Sequence, residues 1–426
     1  MRQSKPWRRL DNAAKIFPPT SSNRDTKVFR LVCELKEEVD GALLQRALEE
    51  TVEEFPLFRS VLKKGLFWYY LEESDLLPRV SEESLPVCAA VYNPDKPGLL
   101  YRVSYFGRRI NLEVFHALAD GTGAVQFLRS MVFAYLTARH GLTERLAEND
   151  AARDQKSLDA FYKYYDKQQP VFKEKHYRAY RMRGAKLPEE RMGVTEGFLS
   201  ARSVLEQAHA KDATLSEFLI SLLIGAIYDN MAVRERSRPV VITVPVDLRR
   251  FFSAKTARNF FGVIQIAHHF QTNGESFEEI LANVKETFRR TLTKENLHGV
   301  ISRYSVIENN PFIKTIPLQI KIPALRLAGF RAEEQDTAAF SNLGRIAMPQ
   351  EAAKHIRLFD VFLSTKRPQL CLCSFGDTLA VSVSSPLVDT SLQRQFFRRL
   401  TERGLVVEVV SNLEQFSDKE APHASL

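Results

Sequence analysis

Apolar and polar positions follow two rhythms along this chain, and both rhythms recur in each half. Residues 27–35, 99–106 and 109–115 are short apolar-rich runs. They read as strands, the last two joined by a turn at Gly107. After the first run, Asp40 precedes Leu44, Ala47, Leu48, Val52 and Phe55 at helical spacing. Asp40 is therefore expected to cap a helix that Pro56 stops. Residues 57–72 read as extended and are rich in aromatics. Ala124, Phe127, Leu128, Met131, Val132 and Tyr135 share one face of a 3.6-residue period and predict a helix directly after the third strand.

Residues 143–195 break the pattern. They are charged, carry many Tyr and Lys and few aliphatics, and read as a long linker with partial helix. The pattern then resumes. Thr214 and Glu217 form a capping box ahead of an apolar stripe through Leu215, Phe218, Leu219, Leu222, Leu223, Ala226 and Ile227. Residues 239–246, 262–271, 357–363, 369–374 and 378–384 read as strands, with a turn at Gly376-Asp377, and 276–293 and 391–403 as helices. The polar tail after Ser411 is expected to be loose. No sequence repeat relates the halves, yet each combines strands with amphipathic helices. The chain therefore reads as α/β: two α+β two-layer sandwiches, spanning residues 1–165 and 196–426, with a linker at 166–195. A length of 426 residues suits two cores.

Composition narrows the function classes. Apolar content of 44% and charged content of 26% are those of a soluble globular protein. The formal charge of +8 favours phosphates, nucleic acid or an anionic membrane surface, and is equally that of a solvated basic surface. Lys and Arg are scattered, with no basic block interleaved with stacking aromatics, which argues against nucleic acid. Four cysteines are too few for a disulfide framework. Cys371 and Cys373 share one strand face without further ligands at zinc-finger spacing, so buried reduced thiols are expected. Walker, H-E-x-x-H and EF-hand patterns are absent, and neither a metal nor nucleotide hydrolysis is expected. The basic N-terminus lacks the apolar stretch of a signal peptide, and the apolar stretch 218–227 is half a bilayer span; a cytoplasmic location is expected.

The informative segment is Val114-Phe115-His116-Ala117-Leu118-Ala119-Asp120-Gly121-Thr122-Gly123. Ile110, Leu112 and Val114 form one parity of a strand, and His116 shares it, so its ring points inward if the strand runs on. Asp120-Gly121 signals a turn, and Gly123 lets the chain bend into the next helix. Two readings compete: a catalytic imidazole at a strand end, and a core histidine bonded to a backbone carbonyl.

His-x-x-x-Asp-Gly resembles the signature of the coenzyme A-dependent acyltransferase superfamily, which includes plant-type acyltransferases, alcohol acetyltransferases, condensation domains and chloramphenicol acetyltransferase. Further segments resemble it in the right order. Pro245-Val246-Asp247-Leu248-Arg249 is similar to its strand-and-arginine motif, Asn259-Phe260-Phe261-Gly262 to its Asn-x-x-Gly segment, and Ser341-Asn342-Leu343-Gly344 to a loop of the alcohol acetyltransferase branch. The opening stretch 7–18, with Leu10-Asp11-Asn12, resembles that branch too. The resemblance spans residues 7 to 410. One departure is Phe115, which stands where condensation domains carry a second histidine.

The resemblance implies two chloramphenicol acetyltransferase-like domains with an active-site tunnel between them. It implies direct acyl transfer in a ternary complex, with His116 as general base, suited by an ordinary pKa near 6.5. Acyl-CoA enters as cosubstrate, with no permanently bound cofactor, and a small or lipid-like alcohol as acceptor. The absence of G-x-S-x-G agrees with a route that has no acyl-enzyme. Asp120 is expected to point away from the histidine and pair with Arg249. Gly121 offers a backbone N–H, Asn259 is expected to bond backbone at the domain junction, and Ser341 or Asn342 either donates to the oxyanion or caps a strand turn. The alternatives are a condensation-type enzyme fed by an acyl or peptidyl carrier protein with an amine or hydroxyl acceptor, and a non-catalytic lipid- or thioester-binding scaffold. A monomer is expected. His268 and His269, adjacent on a strand, face opposite ways. His140, His176, His209, His298, His355 and His423 are expected at the surface.

Overall fold

In the computed structural model, which describes residues 5–146, 160–165, 177–254 and 256–413, the first half builds a five-stranded sheet. Tyr101–Phe106 folds back antiparallel on Arg109–Phe115, pairing Val103 with Leu112, and Val28–Leu35 pairs on the other side, setting Leu31 opposite Leu112. The Asp40 carboxylate caps the helix Gly41–Glu54, accepting from the Ala42 and Leu43 N–H groups at 2.8 and 3.0 Å. This helix and Gly121–His140 bury Leu44, Leu48, Phe127, Met131 and Tyr135 over the sheet. The Tyr135 hydroxyl is not wasted inside: it accepts from the Asp40 N–H at 3.0 Å. Each large apolar side chain so buried stabilises by roughly 1.5–3 kcal/mol.

A seven-stranded sheet carries the second core. Its order is Phe261–His268, Val240–Asp247, Ala338–Arg345, Gln369–Phe375, Thr378–Ser385, Gly193–Ser200 and Glu408–Ser411. The capping box at Thr214 and Glu217 forms, and the helix it starts, Leu215–Asp229, lies buried between Phe277–Thr291, Ser391–Thr401 and one face of this sheet. The other face, with Cys371, Cys373 and Ala380, joins the first core. There the Cys373 thiol meets the Phe359 carbonyl at 3.3 Å, and Ser382 hydrogen-bonds Asp360, whose carboxyl burial pushes well up. All four cysteines are buried and free of disulfides. None of the described helices is long and apolar enough to cross a membrane.

Several elements differ from the pattern reading. Ile356–Leu363, from the second half, completes the first sheet by pairing with Val28–Leu35. Gly193–Ser200 begins inside the stretch expected as linker, because it pairs with Thr378–Ser385 along its whole length. Residues 166–176 of that stretch, His176, His423 and the tail beyond 413 lie outside the described residues. The expected strand 262–271 ends at His268, and Phe270–Asn273 turns as a short helix. The Ser341–Gly344 segment is strand rather than loop. It lies in Ala338–Arg345, which runs parallel to Val240–Asp247 at its first two residues and to Gln369–Phe375 further along, and the register shifts between Asn342 and Arg345 where Gly344 takes φ +78°. Residues 57–72 are a helical turn followed by the hairpin Ser60–Lys64 and Tyr69–Glu73, which Trp7–Arg9 extends to a three-stranded sheet.

Candidate active site

The strand Arg109–Phe115 stops one residue before His116. The His116 N–H still donates to the Lys27 carbonyl at 2.9 Å, which keeps it in register with the neighbouring strand. The Leu118 N–H donates to Phe115 at 2.9 Å and closes a turn. Asp120 then caps the helix Gly121–His140, its Oδ1 accepting from the Gly123 N–H at 3.0 Å. A Cβ at Gly123 would stand 2.0 Å from the Ala257 carbonyl oxygen. Glycine there is what allows the helix start to meet the loop after Val240–Asp247. Strand end, turn and helix start thus present His116 where the first sheet faces the second.

The imidazole is fixed from three sides. Phe17 stacks on it at 4.5 Å between centroids, Phe29 meets it edge-on at 5.1 Å, and Phe261 lies at 5.6 Å. The Asn259 side chain hydrogen-bonds twice to this residue: its Oδ1 lies 3.1 Å from His116 Nδ1 and its Nδ2 donates to the His116 carbonyl at 3.1 Å. Nδ2 also donates to Asp11 Oδ2 at 3.2 Å. Two acceptors around Nδ2 fix the amide orientation, so Oδ1 faces the ring and accepts the Nδ1 proton. That selects the tautomer whose Nε2 carries the lone pair. Nε2 has no hydrogen-bond partner among the described residues. Burial pulls the imidazole pKa below its ordinary 6.5, against the opposing effects of Asp120, its own carbonyl and Asn259. The ring is therefore neutral at pH 7.

Asp120 binds away from the imidazole. Its Oδ2 accepts from Arg249 Nη2 at 2.9 Å and from the Phe260 N–H at 3.1 Å. Arg249 also donates to Asp247 Oδ1 at 2.9 Å and to the carbonyls of Thr256 and Arg258. Burial alone would lower the guanidinium pKa, but the Asp120 and Asp247 carboxylates outweigh it and raise it. This ion pair ties the turn of the first sheet to the strand end of the second.

A cavity of about 100 Å³ opens beside the ring. Its wall includes His116, Gly121, Thr122, Val246, Ser341 and Cys371. Room for about three waters is room for a reacting carbonyl and hydroxyl, not for a whole cosubstrate. The Ser341 hydroxyl makes no hydrogen bond among the described residues. The Asn342 amide is already engaged: Nδ2 donates to Ser216 Oγ at 3.0 Å and Oδ1 accepts from the Gly344 N–H at 2.7 Å. Burial and then Asp360 push the Cys371 thiol up, so it is not a thiolate.

His116, Asp120, Gly121, Arg249, Asn259, Ser341 and Asn342 therefore converge, although they come from four separate stretches of chain. The contact of Asn259 with the ring, the buried Asp11 behind it, and the Phe17, Phe29 and Phe261 walls were not read from sequence. Asp11 lies 248 residues from Asn259, and only its place in the 7–18 stretch hinted at it. The remaining described histidines stay outside the cavity. His268 is buried, its Nε2 2.9 Å from the Gly274 carbonyl, while His269 and His209 are exposed. His140 and His355, expected at the surface, are half-buried because their rings stack at 3.7 Å next to Glu37, and His298 is half-buried against Phe252.

No protein-family model and no curated protein matches the chain. Solved structures do. TRI101 of Fusarium graminearum, in complex with coenzyme A and T-2 mycotoxin, aligns at TM-score 0.63 and 12% identity, covering 93% of this chain and 97% of that one. The first condensation domain of the calcium-dependent antibiotic synthetase, with a substrate analogue, aligns at 0.60 and 16%, covering 94% and 97%. TRI3 trichothecene 15-O-acetyltransferase of Fusarium sporotrichioides aligns at 0.59 and 10%, covering 93% and 94%. The chain has the fold shared by coenzyme A-dependent acyltransferases and condensation domains.

Proposed function

We propose that this protein is an acyltransferase that carries an acyl group from acyl-CoA to a hydroxyl acceptor, with His116 as general base. The observation that carries the reading is the Asn259-held, neutral His116 ring, its Nε2 lone pair left free at the wall of the cavity. A base with its tautomer fixed and its ring unprotonated at pH 7 suits removal of an alcohol proton. The acceptor oxygen attacks the thioester carbonyl carbon while its proton passes to Nε2. The tetrahedral oxyanion then collapses, the C–S bond breaks, and the leaving thiolate takes the proton back. The Ser341 hydroxyl and the Gly121 N–H at the helix start, both at the cavity wall, would donate to the oxyanion, and the helix N-terminus would add a favourable dipole. Asn342, engaged with Ser216 and its own turn, shapes the wall. The protonated state of Cys371 supports direct transfer without an acyl-enzyme. Similar folds solved with coenzyme A or bearing the name acetyltransferase support the donor class.

Thiol release from acetyl-CoA, measured with a panel of alcohols and amines, tests the reading. The expected result is release that requires an alcohol. Inertness toward acyl-CoA together with transfer from an acylated carrier protein would replace the donor, and binding without turnover of either would leave a scaffold.

A further inference from the structure

Residues 310–332 include Lys314, Lys321, Arg326 and Arg331 and no aspartate or glutamate. Most of this stretch is the helix Leu318–Glu333, which is apolar on two faces. One face, with Leu318 and Gly329, is buried on the protein. The other sends Ile320, Leu327 and Phe330 into solvent at 65%, 50% and 55% exposure, and Phe312 just before it is 81% exposed. Ile320, Ala324, Leu327 and Phe330 follow at helical spacing and form one ridge. The helix start is fastened to the tip of the hairpin Ser60–Lys64 and Tyr69–Glu73. The Leu318 N–H donates to the Leu66 carbonyl at 2.8 Å, the Lys321 ammonium donates to the Phe67 carbonyl at 3.2 Å, and that ammonium lies 3.9 Å above the Trp68 ring. Leu66, 66% exposed, and Phe67 extend the apolar ridge across this tip. Lys314 and Arg331, both exposed, make no ion pair among the described residues. Scattered exposed leucines are ordinary, but a continuous apolar ridge flanked by unneutralised cations is an interaction surface.

We infer that this face docks on an anionic lipid surface, its apolar side chains entering the acyl-chain boundary and its cations meeting the phosphates. The charge is complementary, and a bilayer interface offers phosphate and hydrocarbon side by side, as the interleaved ridge and cations require. The face also leads to the base. Arg326 Nε donates to the Pro19 carbonyl at 2.9 Å, Thr20 lies against Gly329, and Phe17, at the start of the same short helix, stacks on His116. A membrane-held alcohol would reach the cavity from this side; that consequence rests on the proposed function, whereas docking itself does not.

The test is flotation with phosphatidylcholine vesicles, with and without phosphatidylglycerol, at low and high salt. The wild-type chain is expected to float with the anionic vesicles and to be released by salt. The pair Lys314→Glu with Arg331→Glu should lower partitioning at least about thirtyfold, the effect of two cations near such a surface. Leu327→Ser with Phe330→Ser should lower it too. All four positions are solvent-facing, so the unfolding midpoints serve as the control that both variants fold. Failure of the wild type to float, or equal flotation of both variants, would overturn the inference. A concentration-dependent dimer that both variants abolish would assign the face to a second copy instead, and binding only to an acidic carrier protein would assign it to that partner. Flotation is read without turnover, so it stands or falls separately from the acyltransferase assay.

Discussion

Replacing His116 by alanine should lower acceptor-dependent kcat/KM by about 10²–10⁴-fold, the usual contribution of a positioned general base. The fold should survive. The ring is half-buried, and its removal leaves Asn259 Oδ1 without its partner while Nδ2 keeps Asp11. An unsatisfied acceptor of this kind costs roughly 1–3 kcal/mol. Steady-state kinetics beside a thermal melt separate the two effects. A large rate loss with a modest shift in the melt is the expected pattern, because binding and oxyanion stabilisation remain in place.

The second large effect is expected at Asp120, and through stability. Asp120→Ala leaves the Arg249 cation buried without its main partner and strips the acceptor from the Gly123 and Phe260 N–H groups. Breaking a buried ion pair costs roughly 3–5 kcal/mol and losing a helix cap about 1 kcal/mol. The turn that carries His116 would lose its tie to the second sheet, and activity should fall with the melting temperature. Asp120→Asn keeps one oxygen, which can serve the Gly123 cap or the Phe260 N–H with Arg249 but not both, and should recover only part of the stability. The Asp120 charge raises the His116 pKa. Removing that charge should therefore move the acid limb of the Asp120→Asn profile to lower pH, a shift that a purely mechanical role would not produce.

The fold was legible where one face of an element is apolar and the other polar. The helices capped by Asp40 and by Thr214 with Glu217, and the hairpin around Gly107, follow from that pattern alone. Partners were not legible. Nothing in residues 357–363 says that they pair with Val28–Leu35 across more than 300 positions, since a strand's pattern reports which face is buried but not which strand lies beside it. The helix Leu318–Glu333 escaped for a different reason. Its two apolar faces cancel the periodic signal, and Pro323 lies within it. Ser341-Asn342-Leu343-Gly344 has turn composition, yet the pairing of Ser341 and Asn342 with Cys371 and Leu372 on the parallel strand Gln369–Phe375 draws it into the sheet. At the site, the His-x-x-x-Asp-Gly spacing located the base and its ion pair. The Asp11–Asn259 link to the ring is purely tertiary and had no local signature.

The pH dependence of kcat/KM for acceptor-dependent thiol release tests the central claim most directly. The active form of a general base is the neutral ring, and burial lowers the His116 pKa below 6.5. The rate should fall on the acid side with a midpoint below pH 6.5, and lose this limb in His116→Ala. A limb with its midpoint above 6.5, or the same limb in the alanine variant, would contradict a half-buried, neutral His116 as the base.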